Sequence, residues 1–361
     1  MLNIPNANFY LDDSLQQEKK ICIDQGKIVE IAQSDGNSPI EFVIPGLIDL
    51  QIYGSGGRLF SADPTTESLS IIEEDLLKKG TTGFLACMAT NTKAVFDACI
   101  IAAKAYRPHA RNFLDLHLEG PFLNPKRLGA HVPEFVQKAT LDEIKALLDF
   151  GDGTIKMLTI APEIHDDEVI QYLLDHHVVV SLGHSDATFE EATHAYNMGI
   201  QTTTHLFNAM SPIHHRAPGI PTAFFNHDKA MASIIVDGQH VDFEIVKLAY
   251  RLAGDRLFLI TDAVTPCATG PYQHIEKGNK FVMPDGTLSG SSLTLLEAVK
   301  NCAAHCGIAL NDALKMASQN PAKLIGMPNL VEKIEVGSQA NMLILDEKLN
   351  LKKVVCNGKY Y

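Results

Sequence analysis

The chain has 361 residues, of which 46% are hydrophobic and 20% are charged, and its formal net charge is −13 at pH 7. This composition is typical of a globular protein, and the acidic balance argues against a general nucleic-acid or anionic-membrane surface. The length predicts one large domain and a smaller one.

The start of the chain has neither the basic residues nor the apolar run of a secretory signal. No stretch approaches the roughly 20 apolar residues of a membrane span. The seven cysteines lack the spacing of a disulfide framework, which suits thiols in a reducing compartment. We therefore expect a cytoplasmic protein that binds neither membrane nor nucleic acid.

Short strands are predicted at both ends of the chain. The first three are residues 20–23, 27–31 and 41–44, and similar runs return at 340–345 and 352–358. Because the two ends share this character, the sequence predicts a small discontinuous β domain built from residues 1–45 and 331–361.

Between these ends, eight apolar, β-rich runs alternate with helical patterns. The alternation predicts a (β/α)8 barrel over residues 46–330. Capping-box spacings at Thr140 with Glu143 and Thr188 with Glu191 mark two helix starts, and Gly199 ends the second helix. A doubly wound open sheet is the alternative, but no GxGxxG follows the first strand and the strand count fits closure. The predicted strands are 46–52, 82–88, 113–118, 155–160, 178–182, 201–205, 232–236 and 257–261.

Ionisable residues recur where the predicted barrel strands end. Glu119 follows the third strand, His184 the fifth and His205 the sixth. His240 lies four residues beyond the seventh strand, and Asp262 ends the eighth. In a barrel these positions converge on the rim that carries active sites. One carboxylate and two imidazoles suit Zn²⁺ with a position left for water, and Asp262 is then the natural base.

The stretch 202–219 begins in the sixth predicted strand and has little helix-forming pattern after Leu206. Asn208, with the backbone around Ala209, offers donors and an acceptor to a polar substrate. Arg216 offers a planar cationic fork suited to carboxylate or phosphate. A second cluster, Cys302 with His305 and Cys306, could mimic a metal site, but its segment has the pattern of a packed amphipathic helix and offers no fourth ligand.

The chain also carries an ordered set of motifs: PGLID (45–49), HLEGPFLN (117–124), GAH (129–131), SLGHSDAT (181–188), THLFNAM (204–210), RAPG (216–219), DGQH (237–240), ITDA (260–263) and GTLSGSSLTL (286–295). This set resembles the N-acetylglucosamine-6-phosphate deacetylase family, within the metal-dependent amidohydrolase superfamily. The resemblance spans nearly the whole chain, and the ordered set is highly specific.

The resemblance implies metal ligands at Glu119, His184 and His205 and a catalytic base at Asp262. It also implies that His131 lies close to the acetyl carbonyl. The other implied substrate contacts are Ala130, Asn208, Ala209, Arg216, Asp237, Gly238, Gln239, His240, Leu288, Ser289 and Gly290, with Arg216 and His240 at the phosphate end.

One departure from the superfamily pattern follows the first strand. Many amidohydrolases carry His-x-His there, whereas this chain has Gln51 and Tyr53 at the two histidine positions. We therefore expect one divalent ion, Zn²⁺ or a similar metal. Glu163 lies outside the family motif, and we interpret it as a cap before a predicted helix at 166–176.

The expected reaction is hydrolysis of N-acetylglucosamine 6-phosphate to glucosamine 6-phosphate and acetate, by metal-activated water with Asp262 as base and then acid. The resemblance also implies a homodimer or larger homo-oligomer. Two alternatives stay open: another amidohydrolase reaction, on a cyclic amide or a purine, and a metal-free barrel without catalysis.

Overall fold

The computed structural model describes residues 2–278, 280–331 and 333–361. Within these ranges the strands are β1 (Leu2–Leu11), β2 (Ser14–Asp24), β3 (Lys27–Gln33), β4 (Glu41–Pro45), β5 (Leu47–Ile52), β6 (Gly54–Ser55), β7 (Arg58–Leu59), β8 (Thr81–Ala89), β9 (Phe113–Glu119), β10 (Ile155–Ile160), β11 (Val179–Leu182), β12 (Thr202–Thr203), β13 (Met231–Ile234), β14 (Leu257–Leu259), β15 (Ile275–Lys277), β16 (Lys280–Val282), β17 (Leu288–Ser291), β18 (Met342–Leu345), β19 (Leu351–Cys356) and β20 (Lys359–Tyr360).

The helices of the same ranges are α1 (Thr66–Lys78), α2 (Lys93–Tyr106), α3 (Leu141–Gly151), α4 (Asp167–Asp175), α5 (Phe189–Met198), α6 (Gly219–Asn226), α7 (Phe243–Ala253), α8 (Leu295–His305), α9 (Leu310–Ala317) and α10 (Gln319–Leu324). Short 3₁₀ turns lie at Arg107–His109, Pro125–Arg127, Pro133–Phe135, Pro162–Ile164, Gly254–Arg256 and Pro328–Val331. Across the described ranges, none of the helices combines the length and apolar character needed to cross a membrane.

Eight strands form the central sheet in the order β5-β8-β9-β10-β11-β12-β13-β14, and every neighbouring pair is parallel. The two ends of this sheet meet where Ile52 and Ala263 form a parallel bridge. The Asp262 amide also donates to the Gln51 carbonyl at 3.0 Å. The predicted (β/α)8 barrel is therefore confirmed, and the open doubly wound alternative is wrong.

The eight barrel strands match the prediction in number and order, but the sixth and eighth are short. The sixth covers only Thr202–Thr203 instead of 201–205, and the eighth covers Leu257–Leu259 instead of 257–261. The chain leaves the sheet early because His205 and Asp262 adopt left-handed backbone angles, with φ of 34° and 54°.

The barrel strands are buried on both faces, which explains their continuous apolar runs. All residues of β5 and β8 are buried. The helices between the strands begin as predicted at Thr140 and Thr188, where both capping boxes are formed, and Gly199 ends α5 with a φ of 117°. On α8, the His305 ring stacks on Phe243 at 4.7 Å between ring centroids, as expected for a packed helix.

A second sheet joins the two ends of the chain in the order β20-β19-β18-β4-β1-β2-β3. Strand β4 pairs with β1 on one side and with β18 on the other. Ile4, Phe9 and Ile344 pack together in a core separate from the main barrel core. The β character of both ends is confirmed, although β1 was not predicted; the boundaries at 45 and 331 stay predictions.

A three-stranded antiparallel sheet follows the last barrel strand, in the order β15-β16-β17. It returns to the barrel where Ser291 forms a parallel bridge with Ala263. The insertion therefore sets Leu288–Ser291 beside the rim of the barrel.

Candidate active site at the barrel rim

Three of the residues expected at the rim have strained backbones. His184, His205 and Asp262 have φ values of 47°, 34° and 54°, which side chains with a Cβ rarely adopt. Phe207 and Ala209 in the next loop are also left-handed, at 80° and 47°. Such strain persists where surrounding contacts enforce it, and it clusters at functional sites.

Glu119, His184 and His205 bring three ligand atoms together. His205 Nε2 lies 3.0 Å from Glu119 Oε1 and 3.0 Å from His184 Nε2. His184 Nε2 lies 3.3 Å from the same carboxylate oxygen. Ligands bound to one Zn²⁺ at about 2.0–2.2 Å in tetrahedral geometry are separated by about this spacing. The donor set therefore fits a single divalent ion.

The hydrogen bond made by His184 Nδ1 determines which of the two ring nitrogens can bind a metal ion. Nδ1 lies 2.9 Å from the Arg127 carbonyl, so Nδ1 carries the proton and donates it. Nε2 then keeps its lone pair toward Glu119 and His205. This arrangement is common for histidines that bind metals, because the second bond fixes both tautomer and ring orientation.

His131 is the alternative third ligand, because Glu119, His131 and His184 offer ligand atoms within 4.8 Å of one another. The Thr90 amide donates to His131 Nδ1 at 3.3 Å, so the proton of the neutral ring is on Nε2. That nitrogen faces Glu119 Oε2 at 3.3 Å and acts as a donor. The tautomer therefore favours His205 as the third ligand.

Charge and burial shape the protonation of this cluster. Burial lowers the pKa of His131 to about 4, so its ring is neutral at neutral pH. Burial alone would raise the pKa of Glu119, but its electrostatic interaction with His184 and the hydrogen bond from His131 hold it well below its ordinary value. Burial, and then the negative charge of Glu119, raises the pKa of Asp262 to about 6.

Gln51 occupies the first position of the missing His-x-His pair. Its Nε2 donates to Glu119 Oε1 at 2.9 Å and to Asp262 Oδ1 at 2.8 Å, and it also lies 3.4 Å from the Tyr53 hydroxyl. Tyr53, at the second position, lies on the cavity wall. A neutral side chain therefore bridges the two carboxylates.

Asp262 is held beside β17 by a close backbone approach. The Ser291 amide donates to the Asp262 carbonyl at 3.0 Å. A Cβ added to Gly290, which has a φ of 109°, would lie 2.9 Å from that carbonyl oxygen and 2.7 Å from Val264 Cγ1. Glycine is therefore required where the insertion meets the catalytic rim.

The cluster opens into a cavity of about 270 Å³. Most of the residues expected at the site line it: Glu119, Ala130, His131, His184, His205, Asn208, Ala209, His240, Asp262, Leu288, Ser289 and Gly290. The cavity therefore collects residues from loops after six of the eight barrel strands.

Four of the expected substrate contacts do not line this cavity: Arg216, Asp237, Gly238 and Gln239. Asp237 instead fixes His240, whose Nδ1 donates to Asp237 Oδ2 at 2.7 Å. The amides of Gln239 and His240 both donate to Asp237 Oδ1 at 2.8 Å. The run 237–240 is thus a turn that presents one residue, His240, to the cavity.

Glu163 is not a helix cap, and that interpretation was wrong. It accepts hydrogen bonds from Asn124 Nδ2, the Ser185 hydroxyl and the Asp186 amide, each at 2.7 Å. Helix α4 starts after Asp166 without any side-chain cap. Glu163 therefore holds the turn that contains His184, because the fourth and fifth barrel strands are neighbours.

Several cavity residues have no counterpart in the sequence-based predictions. Tyr272 and His274 come from the insertion after the last barrel strand, which has no periodicity that would indicate their position. Thr90 lies behind His131 at the end of the second strand. In the sequence, the position of Thr90 at the end of a predicted strand was the one signal that could have indicated a place near the site.

The residue pattern of the Amidohydrolase family matches residues 42–360. An N-acetylglucosamine-6-phosphate deacetylase of Lysinibacillus sphaericus is 34% identical over 370 residues, which cover 95% of this chain and 93% of that protein. An N-acetylgalactosamine-6-phosphate deacetylase of Shewanella sp. (strain ANA-3) is 32% identical over 326 residues, covering 88% of this chain and 82% of that protein.

A solved structure shows the same similarity in three dimensions. It is a mutant N-acetyl-D-glucosamine-6-phosphate deacetylase from Mycobacterium smegmatis in complex with N-acetyl-D-glucosamine-6-phosphate. It matches with a TM-score of 0.90 and 28% identity, covering 98% of both chains. By sequence, fold and site geometry, the chain belongs to the amidohydrolase family, and within it to the N-acetylglucosamine-6-phosphate deacetylases.

Proposed function

We propose that this chain removes the acetyl group from N-acetylglucosamine 6-phosphate, giving glucosamine 6-phosphate and acetate. The observation that carries the proposal is the convergence of Glu119 Oε1, His184 Nε2 and His205 Nε2 within 3.3 Å of one another. A buried carboxylate, Asp262, lies on the wall of the same cavity.

We assign one divalent ion, most simply Zn²⁺, to Glu119, His184 and His205, because two neutral imidazoles and one carboxylate are common ligands of catalytic zinc. Such an ion would lower the pKa of a bound water toward neutrality and polarise the acetyl carbonyl. Gln51 donates to both Glu119 and Asp262, where a second ion would need their lone pairs. A single-ion site is therefore our assignment.

Asp262 takes a proton from the attacking water and then delivers it to the departing sugar amine. A group with both tasks works best when its pKa lies near the operating pH. Burial and the charge of Glu119 raise the pKa of Asp262 to about 6, which meets that requirement.

His131 stabilises the charge that develops on the carbonyl oxygen. Its ring is neutral, its Nδ1 accepts from Thr90, and its Nε2 hydrogen, which faces Glu119 Oε2 at 3.3 Å in the structure, would turn to a substrate oxygen. A fixed donor in a buried site needs no reorganisation as the oxyanion forms.

We assign the phosphate to His240 and Arg216. His240 lies on the cavity wall, whereas Arg216 is exposed in the loop 211–217. Ile213 in the same loop is 55% exposed. These features fit a homodimer or larger homo-oligomer in which this loop meets a second copy near the cavity mouth. The seven unpaired cysteines fit a cytoplasmic enzyme.

The experiment measures acetate release from N-acetylglucosamine 6-phosphate and from N-acetylglucosamine, with metal content and solution mass recorded on the same sample. We expect strong preference for the phosphorylated sugar, about one metal per chain, and a mass above that of one chain. The Asp262→Asn variant should keep its metal and lose at least about a hundredfold in kcat, because the proton acceptor is gone.

Full kcat in Asp262→Asn would remove this residue from the mechanism. Release from neither sugar by the metal-loaded enzyme would reject the substrate, and cyclic amides and purines would then be tested. N-acetylgalactosamine 6-phosphate belongs in the first panel, since it is the sugar named for the relative from Shewanella sp..

A further inference from the structure

One wall of the cavity takes no part in the catalytic steps described so far, although one of its residues, Ser289, is among the implied substrate contacts. It is formed by Tyr272 and His274, which precede β15, and by Ser289 in β17. All three belong to the insertion after the last barrel strand. The metal ligands and the phosphate residues come from other loops, and Asp262 lies at the very start of this segment, directly after the last barrel strand, so this wall can contact the rest of a bound sugar.

The His274 ring is held in one orientation. It is only 7% exposed, and its Nδ1 lies 3.1 Å from the Ser289 hydroxyl. It stacks on Tyr272 with an angle of 17° between the ring planes. Tyr272 in turn donates from its hydroxyl to the Thr90 carbonyl at 2.5 Å. The ring is therefore anchored at its edge and on its face.

The second nitrogen of this ring, Nε2, is the atom that a ligand could contact. Within residues 2–278, 280–331 and 333–361, His274 Nε2 makes no hydrogen bond, although the ring lies on the cavity wall. This nitrogen is not among the fully buried polar atoms that lack a partner, so it is open to the cavity, where water or a ligand can bond to it. A rigid, nine-tenths buried ring with one unused polar atom is the arrangement expected for recognition of a ligand.

The ring offers the hydrogen-bonding pattern that suits a hydroxyl. Burial lowers the pKa of His274 to about 4, so the ring is neutral, with one donor and one acceptor nitrogen. A neutral ring forms no ion pair with phosphate. A sugar hydroxyl, by contrast, both donates and accepts, and can pair with Nε2 in either tautomer.

Ring contacts place His274 along the cavity from the metal cluster. His131 lies 4.3 Å from His184 and 6.4 Å from Tyr272 between ring centroids, and Tyr272 lies 6.4 Å from His274. A substrate whose acetyl carbonyl lies at His131 could extend its pyranose ring along Tyr272. Its ring hydroxyls then come within reach of His274.

We propose that His274, oriented by Ser289, hydrogen-bonds one ring hydroxyl of the bound amino sugar and thereby determines which sugar the enzyme accepts. The inference rests on the proposed function and adds a residue that selects the substrate to it. Ser289 is a positioning residue in this account, because it acts through the His274 ring.

The test pairs a side-chain change with removal of each substrate hydroxyl. His274→Phe keeps the ring shape and the stacking on Tyr272 but removes both nitrogens. Its kcat/KM is measured on N-acetylglucosamine 6-phosphate, on the 1-deoxy, 3-deoxy and 4-deoxy analogues, and on N-acetylgalactosamine 6-phosphate. His305→Phe is the matched control. His305 lies on the outer helix α8, and its ring stacks on Phe243 at the start of α7.

We expect His274→Phe to lose about 10- to 100-fold in kcat/KM on the parent sugar, mostly through KM. With one deoxy analogue, the variant and the unaltered enzyme should be equal, and that analogue identifies the hydroxyl. Ser289→Ala should show a smaller loss with the same dependence on the analogue. Thermal unfolding and metal content of each variant verify that fold and ion are retained.

A loss of the same size on every sugar, or no loss on the parent sugar, would reject the inference while leaving the deacetylase activity in place. If the unaltered enzyme does not hydrolyse the parent sugar, the proposed function itself fails. If His274→Phe does not fold, Ser289→Ala decides the matter by the same comparison.

Discussion

Glu163 shows how much of the site depends on residues that touch neither ion nor substrate. It binds the Ser185 hydroxyl and the Asp186 amide on one side and Asn124 on the other. The backbone amide of Asn124 also donates to the His184 carbonyl at 2.9 Å. The left-handed backbone of His184, a proposed metal ligand, is thus tied to the neighbouring strand.

Glu163→Ala is therefore expected to weaken metal binding by about tenfold, as is common when the support of a ligand is removed. Competition with a chelator measures this affinity. Glu163→Gln keeps an acceptor and a donor in place and should be milder, while Glu168→Ala, on the exposed face of α4, is the control. Equal affinities in all three variants would show that the turn does not need this carboxylate.

The site residues differ in how well the sequence alone could locate them. Glu119, His184, His205 and Asp262 could be located because each ends a barrel strand, and the structure brings them to one rim. Glu163 ends a strand too, but local sequence does not reveal bonds to two other loops. Arg216 has suitable chemistry for phosphate, yet its distance from the cavity depends on a loop conformation that has no local pattern.

At the level of elements, the fifth strand ends in a tight space that glycine fills. A Cβ on Gly183 would lie 2.7 Å from Thr159 Cγ2 and 2.8 Å from Thr204 Cβ. Thr159 belongs to β10, the preceding barrel strand, and Thr204 directly follows β12, the next one. Their hydroxyls are 2.7 Å apart. The chain can pass between these two threonines only because residue 183 has no side chain.

Gly183→Ala should therefore lower the free energy of unfolding by about 1–3 kcal/mol through overpacking. It should also weaken metal binding, because His184 follows directly. Chemical denaturation of the metal-free protein measures the first effect. Adding Thr159→Ser removes one methyl that the new Cβ meets and keeps the hydroxyl, so part of the stability should return. An unchanged unfolding midpoint in the single variant would mean that the strands shift freely.

Elements were predicted better than their ends. The eight barrel strands and the helix caps follow from apolar runs and capping boxes, which are local signals. The sixth strand proved to be two residues long because left-handed residues take the chain out of the sheet, and such residues are not recognisable by composition. The sheet β15-β17 was missed because its strands are only three or four residues long, too short for a clear apolar alternation.

At the scale of the whole molecule, Asp49 joins the first and last barrel strands. Its carboxylate accepts from the Thr261 hydroxyl at 2.5 Å and from the amides of Gln51 and Thr261 at 3.2 and 3.3 Å. It is fully buried, and burial raises its pKa from 3.8 to about 7. The seam of the barrel therefore contains a carboxyl group that is neutral in mildly acidic solution.

This pKa makes stability depend on pH. Between about pH 4 and 7 the folded state holds a proton that the unfolded state has lost, so the free energy of unfolding falls as pH rises, by about 1 kcal/mol per pH unit. Asp49→Asn is neutral at every pH and should lack this slope. Denaturant unfolding of both proteins at pH 5, 6, 7 and 8 gives the comparison. Parallel curves would show that Asp49 is ionised throughout.

The mixed sheet of the two chain ends has a consequence for synthesis on the ribosome. Residues 42–45 of β4 pair with residues 342–345 of β18, so β4 has an open hydrogen-bonding edge while the entire barrel sequence is being translated. An open edge can recruit other strands. The barrel can begin to fold as it emerges, but the smaller sheet has to wait. Stalled nascent chains that end before residue 342 should leave residues 2–45 sensitive to protease, and chains that extend past residue 361 should protect them.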